Sequence, residues 1–315
     1  MRAADSDTGF HRRKDIIMNR LLLIVACSLA ATIASAETPI ATHQATRKLG
    51  ATKATENQSV SHFCLNAAGD LVVCDDSDDI VRIITPRDQL KAQWKLPFEP
   101  HAIAARADGG YVLTGPAVAA LLGPDGRILK QVELPINTKY ARSPGVAVIK
   151  DDIFVCARAG TSFSVFRFNK QLGDCKEIVR GLRGCCGCQD IGTDGKELFV
   201  VENARHHVIR FDRDGNKLGE FGKRDPDSLE GYGGCCEPKN ICFGPGGVIY
   251  TSESNNFRIK RWSADGKCTL VGLVRPLSVG CVQVAIAVNK DGSELYFMDR
   301  VGGIIYVLTG PALRK

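Results

Sequence analysis

Short apolar runs alternate with Gly- and Asp-rich turns along most of the chain, and the runs fall into six copies of one pattern. Each copy opens on a brief apolar or small-residue strand. These are Phe63-Cys64-Leu65, Ile103-Ala104-Ala105, Val146-Ala147-Val148, Ile191-Gly192-Thr193, Ile241-Cys242-Phe243 and Ile286-Ala287-Val288. Their first residues stand 40, 43, 45, 50 and 45 positions apart. Turns follow at Ala68-Gly69, Asp108-Gly109, Asp151-Asp152, Asp194-Gly195, Gly246-Gly247 and Asp291-Gly292. Gly and Asp tolerate the positive φ that tight hairpins need. A second apolar strand comes next, as in Leu71-Val72-Val73 and Leu198-Phe199-Val200. A third strand is clear in Val208-Ile209-Arg210-Phe211 and Arg258-Ile259-Lys260-Arg261-Trp262, and a further turn leads to a fourth.

Short strands at even spacing predict an all-β fold. Four strands per copy and six copies predict a six-bladed β-propeller. The last copy stops after its third strand, Ile304-Ile305-Tyr306-Val307. Its missing fourth strand is therefore expected from the polar segment 37–60, which would close the ring. The propeller proper is expected over 61–315.

The N-terminus reads differently. Arg12, Arg13, Lys14 and Arg20 precede the apolar run Leu21–Ile33, and Ala34-Ser35-Ala36 supplies a small-residue cleavage site. This is the layout of a bacterial-type secretory signal over 1–36, with Met18 as an alternative start. The expected protein is exported, periplasmic or extracellular, with no membrane span once the signal is removed. Composition then fills in the picture. The full chain is 24% charged and 44% hydrophobic, ordinary for a folded globular protein. Its net charge of +6 is small and forms no basic block, so nucleic acid is not an expected partner. Of its 13 cysteines, only Cys27 falls in the signal, which leaves an even twelve in a compartment where disulfides persist.

Two copies resemble the NHL repeat. They are Glu253-Ser254-Asn255-Asn256-Phe257-Arg258-Ile259 with Trp262-Ser263-Ala264-Asp265-Gly266-Lys267, and Glu202-Asn203-Ala204-Arg205-His206-His207-Val208-Ile209-Arg210-Phe211-Asp212. The resemblance covers roughly 60–310 and is weaker in the first three copies. It implies a six-bladed propeller of the NHL, TolB-like type. That fold hosts binding modules and enzymes alike, so it fixes no function.

Aligning the copies orders the cysteines. Cys185-Cys186-Gly187-Cys188-Gln189-Asp190-Ile191 aligns without gaps on Cys235-Cys236-Glu237-Pro238-Lys239-Asn240-Ile241, and Cys281 takes the place of Cys186 in the sixth copy. Each precedes an innermost strand. Cys185, Cys186, Cys188, Cys235, Cys236 and Cys281 should thus converge on one face, where the loop of His206 and His207 also opens. Thiolates bind zinc, Cu(I) or an iron–sulfur cluster, and Cys185-x-x-Cys188 has metal-ligand spacing. These six cysteines, with His206, form the candidate metal-ligand pool. The first expectation for the same cysteines is disulfides across adjacent blades, tying the loops together in an oxidising compartment, and redox-active or free thiols are a third reading. No C-x-x-C-H stretch for covalent haem is present. Cys64, Cys242, Cys74, Cys156, Cys175 and Cys268 are expected to be buried between blades.

Asp75, Glu202, Glu253 and Asp299 recur after the second strand. The NHL resemblance implies a structural hydrogen-bonding position there, with a cation-binding acidic ring as the alternative. Propeller enzymes suggest two further comparisons. Gluconolactonase-like hydrolases hold a divalent ion on carboxylate and Asn ligands, a role that Glu202, Asn203, Asn240 and Asp299 could imitate. Peptidyl-amidoglycolate lyases use histidine-bound zinc, for which this chain has too few placed histidines. The expected protein is a binding or redox-associated module with a cysteine-rich channel face and a protein or small-molecule ligand. A divalent-metal hydrolase or lyase and a pure interaction scaffold are the other readings.

Overall fold

The structure is a computed structural model that describes residues 47–49, 59–136, 142–254, 258–263, 266–274, 281–300, 302–310 and 313. The expected signal over 1–36 and the Asn255, Asn256, Phe257, Ala264 and Asp265 positions of the repeat resemblance lie outside them.

Six four-stranded antiparallel sheets follow one another along the chain. Blade 1 comprises Val60–Leu65, Leu71–Asp75, Ile80–Ile84 and Leu90–Lys95. Blade 4 comprises Ile191–Thr193, Leu198–Glu202, His207–Phe211 and Lys217–Phe221. In blade 6, Ile286–Val288, Glu294–Asp299 and Ile304–Thr309 are completed by Arg47–Leu49. Arg47 pairs with Val307 and Leu49 with Ile305, antiparallel, so a strand from the polar N-terminal segment closes the ring as its sequence position predicts. A ring closed this way leaves no long free sheet edge at the joint. The joint is further fixed by Val60 N donating to the Arg300 carbonyl at 3.3 Å and by the Arg300–Asp76 ion pair.

Burial explains the strand composition. Second strands such as Leu198–Glu202 are buried along their whole length, because a blade has a neighbour against each of its faces. Outer strands such as Leu90–Lys95 are exposed at every second position or more, and they alternate accordingly. Each interface between adjacent blades has its own apolar cluster, for example Phe154, Cys156, Val165 and Leu198 between blades 3 and 4. Hairpin glycines lock neighbours together. A Cβ on Gly126 (φ +79°) would stand 2.0 Å from the Trp94 ring of the preceding blade.

The inner strands surround a channel cavity of about 350 Å³. Its upper rim carries bonds from one blade to the next. His62 Nδ1 accepts Ile103 N at 3.4 Å, Asp190 Oδ2 accepts Ile241 N at 3.0 Å, and Asn240 Oδ1 accepts Ile286 N at 2.8 Å. Each acceptor occupies the same repeat position, one residue before an inner strand's first repeat residue. Because Nδ1 of His62 accepts, its proton sits on Nε2.

The expected burial of the minor cysteines holds in part. Cys74, Cys156 and Cys268 are buried and Cys64 and Cys242 are half-buried, but Cys175 is exposed. It immediately precedes the outer strand Lys176–Leu182.

Candidate functional site

The segments that join blade 3 to 4, 4 to 5 and 5 to 6 carry the aligned cysteines, and the repeat register brings them to one face. The Cys186, Cys236 and Cys281 sulfurs lie within 4.8 Å of one another, and so do those of Cys185, Cys235 and Cys236. Sγ–Sγ distances are 3.5 Å for Cys185–Cys186, 3.8 Å for Cys186–Cys236 and 3.4 Å for Cys236–Cys281. A disulfide requires about 2.05 Å. Cys236 is buried at the centre, whereas Cys186, Cys235 and Cys281 are exposed around it. Burial pushes the Cys236 thiol well up, and the hydrogen-bonded thiols of Cys185, Cys281 and Cys235 push it further.

Local bonds hold the loops in place. The Cys188 amide closes a turn on the Cys185 carbonyl at 3.0 Å. Inside that turn Cys186 has φ +56° and Gly187 φ +74°. A left-handed non-glycine residue costs about 1–2 kcal/mol, so Cys186 sits here against its backbone preference. The buried Asn203 clamps both ends of the turn. Its Oδ1 accepts Cys185 N at 2.8 Å and its Nδ2 donates to the Cys188 carbonyl at 2.9 Å.

Cys188 is the pool member that stands apart. Its Sγ donates to the Cys186 carbonyl at 3.6 Å and belongs to neither sulfur triad. Burial raises its thiol, while the Lys239 charge pulls it down. Lys239 is only 1% exposed, and its Nζ has no hydrogen-bond partner. The same charge acts on Cys236. An unpaired buried ammonium is costly, and nearby thiolates would offset that cost.

His206 is buried, and its Nε2 bonds the Gly234 carbonyl at 2.8 Å, next to the Cys235 loop. It supports that loop from behind and joins neither sulfur triad. His207 bonds Glu202 at 2.5 Å and lies 3.3 Å from Glu220. The recurring acids are engaged within their own blades. Asp75 accepts from the Ser77 hydroxyl at 2.6 Å and from Arg82. Glu253 pairs with Lys260 at 2.8 Å and Arg258 at 2.9 Å. Burial favours neutral Glu202, but His207, the Arg183 amide and Arg205 together hold its carboxyl below the usual range. In the channel, burial pushes Asp190 up to about 8 and His62 down to about 4. Beside Cys186, a rim cavity of about 290 Å³ is lined by Arg142, Arg158 and Phe163.

The sequence pattern did not mark Asn203 as a clamp or Lys239 as a buried cation. Lys239 carries a signal nonetheless: a lysine two residues before a buried inner strand's first repeat residue, where blade 6 has Val284.

Searched by sequence, the chain matches no protein-family model and no curated protein. Solved structures match it in fold. A catalytically inactive virginiamycin B lyase from Staphylococcus aureus, with quinupristin, is 16% identical at a TM-score of 0.59, covering 84% of this chain and 98% of that one. A luciferin-regenerating enzyme is 14% identical at 0.63, over 84% and 95%. A calcium-binding protein, regucalcin, from Agrobacterium tumefaciens is 14% identical at 0.56, over 81% and 91%. These likenesses show a six-bladed β-propeller. They do not carry an activity to this chain.

Proposed function

We propose that this chain is an exported NHL-type propeller that binds a thiophilic metal through its cysteine face. The observation that supports this best is the meeting of five sulfurs from three blade connections, four of them around the buried Cys236. Zinc or Cu(I) suits such ligands. Asn203 holds the Cys185–Cys188 turn in position, and the buried Lys239 follows Cys236 by three positions in the same connecting segment. When bound, the metal would tie three blades together and offer a Lewis-acidic centre at the channel mouth. A small anionic ligand is expected to approach through the Arg142 and Arg158 cavity.

Oxygen-ligated hydrolase chemistry has less support, because Glu202 is held by His207, Asn203 by the Cys185–Cys188 turn and Asn240 by Asp190 and the Ile286 amide. Disulfide pairing remains the competing outcome for the cysteines. Metal analysis of protein purified without oxygen tests the proposal. Bound metal that is lost when Cys236→Ser is introduced supports it, and metal-free protein with the cysteines paired as disulfides refutes it.

A further inference from the structure

We propose that the cysteine face is a two-metal site in which Cys236 bridges two zinc-class divalent ions, an inference that rests on the metal-binding reading above. The ligand geometry carries it. A zinc–sulfur bond of about 2.3 Å places tetrahedral ligand sulfurs roughly 3.8 Å apart. Two sets of three sulfurs lie within 4.8 Å of one another, Cys185/Cys235/Cys236 and Cys186/Cys236/Cys281, with 3.8 Å for Cys186–Cys236 and 3.4 Å for Cys236–Cys281 in the second, and they share only Cys236. Among the described residues, no four ligand atoms of His, Cys, Asp or Glu lie within 4.8 Å of one another. A single ion would therefore capture one triad and leave two cysteines of the other unused. Two ions use all five, each with three sulfurs and a fourth position open to water.

Five thiolates and two divalent ions leave one net negative charge. Lys239 lies buried in the Cys235–Asn240 segment, and its Nζ has no hydrogen-bond partner. The neighbouring Glu237 carboxylate is turned toward Ser254, whose amide it accepts at 2.9 Å. On binding, each of the five thiols gives its proton to solvent as its sulfur takes up a metal bond, and no electron is transferred.

The test is a Zn²⁺ titration of the reduced full chain without oxygen, in competition with a chromophoric chelator. Two tight equivalents are expected. Cys235→Ser and Cys281→Ser should each retain one, and Cys236→Ser should weaken both at least 100-fold. Circular dichroism first checks that each variant keeps its β-sheet signal. If Cys236→Ser does not fold, the wild-type count together with Cys281→Ser decides. A single tight equivalent in the wild-type chain overturns the two-metal site but leaves the metal-binding reading standing. A tight equivalent surviving in Cys236→Ser also overturns the bridge. No tight zinc at all overturns both.

Discussion

Lys239 and Asn203 are the residues whose replacement should separate the site from the scaffold. Lys239→Met removes a buried ammonium that has no hydrogen-bond partner and fills similar volume with apolar atoms. It should raise stability by on the order of 1–3 kcal/mol while weakening zinc binding by about tenfold, since the charge beside the thiolates is gone. A residue that was merely structural would not give opposite signs in chemical denaturation and metal titration. Asn203→Ala unpairs the Cys185 amide and the Cys188 carbonyl and should cost about 1–2 kcal/mol. It should also loosen the turn and weaken metal binding, which the same two measurements would show. At this scale the sequence was only partly readable. The equivalence of Cys186, Cys236 and Cys281 follows from the repeat alignment, because equal repeat positions become equal heights in adjacent blades. Asn203 could not be read this way, because its partners are backbone atoms 18 and 15 positions away.

Among the elements, the closing strand and the channel rim make separate predictions. Arg47–Leu49 supplies the fourth strand of blade 6. Lys48→Pro removes an amide and restricts the chain within this three-residue strand, and it should lower the thermal midpoint by several degrees. An unchanged midpoint would mean that the strand contributes little to closure. The need for that strand was legible, since the sixth copy lacks its own. Its register was not, because the segment around it has no apolar alternation to fix one. At the rim, Asp190 is held near 8 by burial. Its neighbours there are Asn240, the Ile241 amide and the thiols of Cys156 and Cys242, with His62 elsewhere on the channel rim. The folded state therefore keeps a proton that an unfolded Asp loses at about 4. This term lowers stability as pH rises from about 4 to 8. His62, held near 4, acts oppositely between about 4 and 6.5, where only the unfolded chain is protonated. The two offset each other up to about pH 6.5, and the loss should appear between about 6.5 and 8. Asp190→Asn should abolish that loss in denaturation curves across pH, and a loss that persists would assign it to other groups. The recurrence of His62, Asp190 and Asn240 at one repeat position was available in the sequence, but polar residues at an apolar-looking strand start gave no hint that they accept the next blade's amide.

For the whole molecule, the six-bladed ring turns a scattered set of cysteines into a site. Segments 50 and 45 positions apart meet because each blade repeats the last, turned about the channel axis. Metal held across three blade connections should stabilise the native ring by mass action, by about 2.7 kcal/mol at a free concentration 100 times the dissociation constant. Adding a strong chelator should return the thermal midpoint to its metal-free value. The fold was legible in the repeat, whereas the chemistry of the face was legible only as a choice among disulfides, metal ligands and redox-active or free thiols. The most direct measurement is combined elemental analysis and free-thiol counting on the full chain purified without oxygen. The account predicts bound metal, with the cysteines of the face titrating as free thiols once it is removed. Metal-free protein in which Cys185, Cys186, Cys188, Cys235, Cys236 and Cys281 are paired as disulfides would contradict it.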